Sequence, residues 1–253
     1  MTGASTSEVL KFDTNTHRFY TIKLSSNANP LGITVGDKNN VWVAEGTGKI
    51  ASINASNNKI EEYTPSYSNY TTSSPTAMVY DSLTGKLYIS LHDGHAIAVF
   101  DPLLKTFQKI QLDNDENALP FGMVFDKYHN LWIAQHQLDK IAIVDTRTGK
   151  YIETNIPSSN SWTQWMTSDS HGNIIFAEQQ ANALGIASIS STPSFGSEQI
   201  SQTNLPPWSL PSNSSYVQIV APSIAGLLIA VAFFYSKGIS DLKASLNRIR
   251  KLQ

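Results

Sequence analysis

The chain of 253 residues has no cysteine, which excludes disulfides and every cysteine-ligated metal site. Charge is sparse too, at 15% of residues. No basic stripe runs through it, so nucleic acid is not an expected partner. No glycine-rich phosphate loop and no defensible Ser-His-Asp arrangement can be found. The opening stretch, MTGASTSEVLKFD, has no apolar core segment of the kind a secretory leader needs.

What the chain does have is a phrase that returns. VWVAEGTGKIASIN from Val41, LYISLHDGHAIAVFD from Leu87, LWIAQHQLDKIAIVD from Leu131 and IIFAEQQANALGIASI from Ile174 are variants of one another. Pro30, Pro75 and Pro120 open successive copies 45 residues apart; the fourth copy slips, with Trp162 and Thr163 where the proline would stand. Within a copy, apolar runs of four to six residues rich in Val, Ile, Phe, Tyr and Trp alternate with Asp, Asn, Gly and Thr, which predicts four short strands per period. A four-stranded unit every 40 to 50 residues is a β-propeller blade. The fold class is therefore all-β, with about four and a half blades in the sequence. A β-sandwich would not repeat an aromatic at one strand position, as Trp42, Tyr88 and Trp132 do; these are expected to pack between blades.

The first copy is short. Residues 8–24 match only the back half of a blade, VLKFD aligning with IAIVD. Together with the missing leader, this suggests the C-terminal part of a longer product, its ring completed by further sequence or a partner subunit. A four- or five-bladed closure, with residues 8–24 completing the last blade, is the alternative.

Four segments follow: propeller repeats at 1–190, a Pro/Ser-rich linker at 191–215, a transmembrane helix at 216–235 and a basic amphipathic tail at 236–253. The span YVQIVAPSIAGLLIAVAFFY carries no charge, is long enough for a bilayer core and is bracketed by Tyr216 and Tyr235 as interfacial anchors. The tail carries a net charge of +4 and the rest of the chain −6. That asymmetry puts the tail in the cytoplasm and the propeller outside, on a single-pass protein of the cell membrane. Asn54, Asn69 and Asn213 head sequons that fit an exterior domain.

In each copy the loop after the second strand shares a rim of the disc with the connection that enters the first. Glu45, His92, His136, Glu178 and Gln179 fall at that loop, with Asp93 and His95 beside it, and are expected to converge. Imidazole and carboxylate at a funnel suit a divalent ion or general acid/base chemistry, so Glu45, His92, His136 and Glu178 are the candidate ligands and His92 with His136 the pair expected to carry a metal or catalytic role. Asp81, Asp126 and Asp169 are expected to form turns on the opposite face. His129 and His171, in those same turns, are expected to be ordinary surface residues.

The phrases NPLGITVGDKNNVWVAEGTGKIASIN and LPFGMVFDKYHNLWIAQHQLDKIAIVDTRTGKYIETNIP resemble repeats of the virginiamycin B (streptogramin B) lyase family and its NHL-like propeller relatives, over roughly residues 8–190. The resemblance implies a seven-bladed propeller that opens a cyclic depsipeptide by magnesium-assisted elimination, with a histidine base and a glutamate. Carried over, His136 is the base and Glu178 or Glu45 the metal-linked carboxylate; Leu91 and Gln135 lack the glutamate, and Gln179 stands where a histidine would help. Two functions are thus expected to compete. One is a membrane-tethered extracellular binding or scaffold propeller, an accessory subunit with protein partners in a membrane or envelope complex. The other is a lyase using Mg2+ or another divalent ion.

Overall fold

The computed structural model describes residues 1–37, 39–65, 74–112, 117–189 and 193–195. The chain divides into two compact units, Met1–Val217 and Gln218–Gln253; every described residue belongs to the first. The linker, the apolar span, the tail, and Asn69 and Asn213 lie outside the described residues, apart from residues 193–195 of the linker. Among the described residues no helix is long and apolar enough to cross a membrane.

Among the described residues eighteen strands form five antiparallel sheets, the blades of a β-propeller. The first blade holds β1 (Thr2–Gly3), β2 (Glu8–Asp13) and β3 (Arg18–Lys23). The second holds β4 (Pro30–Val35), β5 (Asn40–Glu45), β6 (Lys49–Asn54) and β7 (Ile60–Tyr63). The third runs β8 (Pro75–Asp81), β9 (Lys86–Leu91), β10 (Ala96–Asp101), β11 (Thr106–Gln111), and the fourth β12 (Pro120–Phe125), β13 (Asn130–Gln135), β14 (Lys140–Asp145), β15 (Tyr151–Asn155). The fifth has β16 (Thr163–Ser168), β17 (Ile174–Glu178) and β18 (Ala183–Ala187). Strand order follows chain order in every sheet, as short hairpin connections dictate.

The innermost strands β4, β8, β12 and β16 stand side by side. Each carries a bulge just after its first residue, between Pro30 and Ile33, Pro75 and Met78, Pro120 and Met123, and Thr163 and Met166. Bulges bend a strand and re-aim its side chains. The approach is close enough that a Cβ on Gly32 would lie 2.6 Å from Thr76 O, and one on Gly122 would overlap Gln164 O.

The core consists of the seams between blades. Trp42 meets Phe100 of the third blade at 5.6 Å, Tyr88 meets Phe125 of the fourth at 5.7 Å, and Trp132 packs with Ile174 and Phe176 of the fifth. The three repeated aromatics thus occupy the seams expected of them. Each is almost wholly buried, which contributes about 1.5–3 kcal/mol per side chain.

The Asp turns lie at the other end of the first hairpin. Asp126 Oδ1 accepts the N–H groups of Tyr128 and Asn130 at 2.8 Å; Oδ2 accepts Asn130 Nδ2 and the Trp132 indole at 3.0 and 2.9 Å. Asp169 repeats the backbone pattern with His171 and Asn173. The second blade has Gly36 at this position, and the Trp42 indole nitrogen is left buried with no partner. His129 departs from its expected surface role. Its ring stacks flat on Phe125 at 4.7 Å, and Nε2 lies 3.0 Å from the buried Asp81 carboxylate of the preceding blade. A left-handed turn residue, φ 69°, is swung there into the seam.

Candidate functional site

One backbone clasp recurs at the predicted rim. The residue after each second strand donates its N–H to the carbonyl just before the first strand: Gly46 to Asn29 (2.9 Å), His92 to Ser74 (3.2 Å), His136 to Leu119 (2.9 Å) and Gln179 to Trp162 (3.3 Å). Main chain makes the clasp, so the side chain at that position is free to vary. The loop and the entering connection crowd together as the sequence predicts.

On the third and fourth blades this brings His92 and His136 to 5.9 Å between ring centroids. The Phe121 ring, second residue of β12 and beside its bulge, touches both imidazoles, 5.8 Å from His92 and 5.6 Å from His136. Trp162 meets His136 at 5.2 Å, and Trp165 meets Phe121 at 5.0 Å with the planes at 88°. Both indoles remain partly exposed. Edge-to-face pairs of this kind fix ring orientation.

Polar contacts complete the cluster. Asp93 Oδ1 lies 2.7 Å from His92 Nδ1, and Gln164 Nε2 3.2 Å from His136 Nε2. His136 Nδ1 is buried without a partner. Burial, and secondly the neighbouring His92, push the His136 pKa below its ordinary value of 6.5, so the ring is neutral at neutral pH. A neutral imidazole in an aromatic surround accepts a proton or a hydrogen bond.

The two glutamates take a different place. Glu178 ends β17 on the same side as Phe176, in the seam with the fourth blade; it is buried, with Oε2 unpartnered. Glu45 ends β5 on the side of Val43, in the seam with the first blade, and is wholly buried with neither oxygen partnered. Burial, then repulsion from Glu62, raise its pKa to about 7 against the opposing pull of Lys49. The corresponding residue of the fourth blade, Gln135, donates to Glu153 at 2.6 Å, and Lys140 holds the other Glu153 oxygen at 3.1 Å.

Of the predicted rim residues, then, the structure brings together His92, Asp93 and His136. Phe121, Gln164, Trp162 and Trp165 complete the cluster. Their signal was positional: each falls at the mouth of an innermost strand, and Trp162 lies where the fourth copy loses its proline. Asn54, the described sequon, spends its carboxamide oxygen on the Ser56 and Asn57 N–H groups in an exposed hairpin turn.

A family model described as the virginiamycin B lyase family matches residues 16–220. The chain belongs to that family. Among solved structures it is similar to virginiamycin B lyase from Staphylococcus aureus, at a TM-score of 0.66 and 20% identity, over 72% of this chain and 60% of that one. A catalytically inactive variant of the same lyase with quinupristin matches at the same values. A streptogramin B lyase matches at 0.66 and 22%, over 72% of this chain and 59% of the other. The chain spans about three-fifths of the length of these lyases, and likeness at this identity establishes the propeller fold alone. No curated protein matches the chain.

Membership of the virginiamycin B lyase family raises the question of a divalent ion. Among the described residues no three His, Cys, Asp or Glu side chains lie close enough to hold one. Glu45, His92, His136 and Glu178 therefore do not make one ligand set. The two imidazoles meet on the rim, whereas both glutamates, one residue earlier in the strand, turn into blade seams. The donors present do not fit a magnesium centre, which calls for several oxygen ligands.

Proposed function

We propose that the chain is a binding propeller of the cell envelope, seating an apolar ligand with an aromatic ring in the rim cluster of Phe121, His136, Trp162 and Trp165. The observation that carries this reading is the company of His136: a neutral, buried imidazole met by the edges of Phe121 and Trp162 beside His92. Such a surround favours a ring and a hydrogen-bond donor over an ion. The uncharged run 216–235 and the positive tail support a single membrane anchor with the propeller outside. Anchoring in turn favours a role as an accessory or scaffold subunit with protein partners.

The test is a fluorescence and calorimetric titration with quinupristin, the compound named with the Staphylococcus aureus lyase. Saturable quenching without change of the compound, weakened at least about tenfold in Trp165→Ala, is the expected result. Absence of binding up to solubility would refute the rim as a binding site. For the scaffold role, mild-detergent extraction is expected to yield stoichiometric partners, and a lone monomer counts against it.

A lyase reading keeps one specific support, the free-base His136 in a family of lyases. Its base would take a proton from the substrate while Glu178 assists. Ring-opened product from quinupristin with added Mg2+, lost in His136→Ala and in Glu178→Ala, would establish it over simple binding.

A further inference from the structure

The tips of the third blade carry three leucines that the fold does not use. Leu83, in the turn between β8 and β9, is 77% exposed; Leu103 and Leu104, between β10 and β11, are 89% and 67% exposed. The register sets Asp81 opposite Lys86 and Asp101 opposite Thr106, so both turns project from one end of the sheet, that of the Asp turns, opposite the rim. Two strands apart, the tips lie about 10 Å from each other.

Turn chemistry does not call for these leucines. Asp101 Oδ1 accepts the N–H groups of Leu103 and Leu104 at 2.9 and 3.0 Å, and Lys105 closes the turn at φ 56°. Asp13 and Asn54 cap the same turn in the first and second blades, over Asn15 and Thr16 and over Ser56 and Asn57, with His17 and Asn58 at φ 55° and 58°. The fourth blade has Arg147 and Thr148 there, Asp145 Oδ1 accepting the Arg147 N–H at 3.0 Å. One turn thus takes polar residues in three blades and two leucines in the third. Asp81 likewise accepts the Leu83 N–H at 2.9 Å, as Asp126 and Asp169 accept those of Tyr128 and His171. Neither core nor turn accounts for the three side chains.

Their surroundings narrow the occupant. Val35 of the second blade and Tyr128 of the fourth are exposed at the same end, and Lys105 and Lys127 project beside them, Lys127 Nζ 5.3 Å from the Tyr128 ring centre. Separate apolar knobs flanked by lysines and a tyrosine suit a yielding lipid interface better than a shaped protein pocket. The leucine amides are already bonded within their turns and keep those partners on leaving water. β18 runs from the rim end, where Ala183 faces Glu178, to this end, where Ala187 faces Ile174, and the uncharged run 216–235 follows it in sequence.

We propose that the end of the disc bearing Leu83, Leu103 and Leu104 docks on the lipid bilayer surface, the leucines entering the headgroup boundary and Lys105 and Lys127 meeting lipid phosphates. The inference rests on the reading of residues 216–235 as a membrane anchor, because three leucines hold a disc at a bilayer only where a tether keeps it near. It turns the rim cluster of Phe121, His136, Trp162 and Trp165 away from the lipid, open to ligands from the aqueous side.

The chain has no cysteine, so a single engineered thiol carries a fluorophore in the full chain. Ser82→Cys labels the leucine end and Gln137→Cys the rim end, both at exposed positions. Each labelled chain is reconstituted into phosphatidylcholine vesicles with and without a nitroxide on the upper acyl chain. Side chains in the interface sit roughly 5–10 Å into the headgroup boundary, so the nitroxide is expected to quench the Ser82→Cys label at least about twofold and to leave the Gln137→Cys label unchanged. Adding Leu83→Ser, Leu103→Ser and Leu104→Ser is expected to abolish the difference. Equal quenching of both labels, or quenching that survives the three serines, overturns the proposal. So does a Ser82→Cys label shielded from aqueous iodide yet untouched by the nitroxide, which would put a second copy of the chain on this face. Flotation of the vesicles separates the two readings: a chain that floats without quenching at Ser82→Cys keeps the anchor and loses the docking face, and a chain that does not float loses both.

Discussion

His136 holds its imidazole 5.9 Å from that of His92 on the neighbouring blade, with the Phe121 ring against both. Two residues 44 positions apart in sequence meet because one backbone clasp is repeated in successive blades.

That proximity has a titration signature. Burial first and His92 second disfavour the charged form of His136. Nuclear magnetic resonance of the imidazole signals is expected to give a His136 midpoint below 6.5. In His92→Ala the midpoint moves up only part of the way, because burial remains. A group depressed in this way binds fewer protons folded than unfolded, so its contribution to stability is lost as pH falls below about 6.5. A midpoint at or above 6.5 would contradict the described burial.

Glu45 works in the other direction. Its folded pKa of about 7 stands above the ordinary 4.5 through burial, then Glu62. The folded state therefore holds the proton longer, and stability falls as pH rises from about 4.5 to 7, by up to roughly 3 kcal/mol. Glu45→Gln copies Gln135 of the fourth blade. Thermal denaturation across pH 4.5–8 is expected to show the variant gaining on the wild type as pH rises, with the advantage levelling off above pH 7. An unchanged difference across that range would mean Glu45 is not proton-bound when folded.

The two indoles at the repeated seam position differ in one bond. Trp132 donates to Asp126 at 2.9 Å, whereas the Trp42 nitrogen has no partner, Gly36 standing where an Asp would receive it. Trp132→Phe removes a hydrogen bond to a charged, buried acceptor, and Trp42→Phe does not. Urea denaturation should find the first variant less stable than the second by about 1–2 kcal/mol. Equal losses would deny the Asp126 bond any net weight.

Two glycines separate crowding from backbone conformation. Gly122→Ala drives a methyl into the backbone of β16 at Gln164 and Trp165, with an expected cost above about 2 kcal/mol. Gly149→Ala meets nothing within 4 Å; the cost there comes from φ +72° alone, about 1 kcal/mol. Melting temperatures of the two variants rank them, and the reverse order would mean the innermost strands are farther apart than described.

Blade period, strand positions and seam aromatics were legible in the sequence because each blade repeats one hydrophobic pattern, so every feature is written several times. The rim position was legible for the same reason. What surrounds it was not. Phe121 and Gln164 reach His136 through a bulge, and a bulge changes which way a side chain points without changing the apolar pattern. Alternation explains the glutamates as well: one residue's difference in register separates a rim side chain from a seam side chain, and Glu45 and Glu178 fall on the seam side. His129 read as surface because a turn residue folded back toward Asp81 leaves no mark in the hydrophobic pattern.

The clasp that precedes each innermost strand is made of main chain alone. Whatever residue follows the second strand, the wheel is fastened equally well, so glycine, histidine and glutamine all occupy that socket here. Selection can therefore exchange the tools on this face one at a time without renegotiating the frame, which makes the rim the natural place for relatives of one scaffold to part ways in what they recognise.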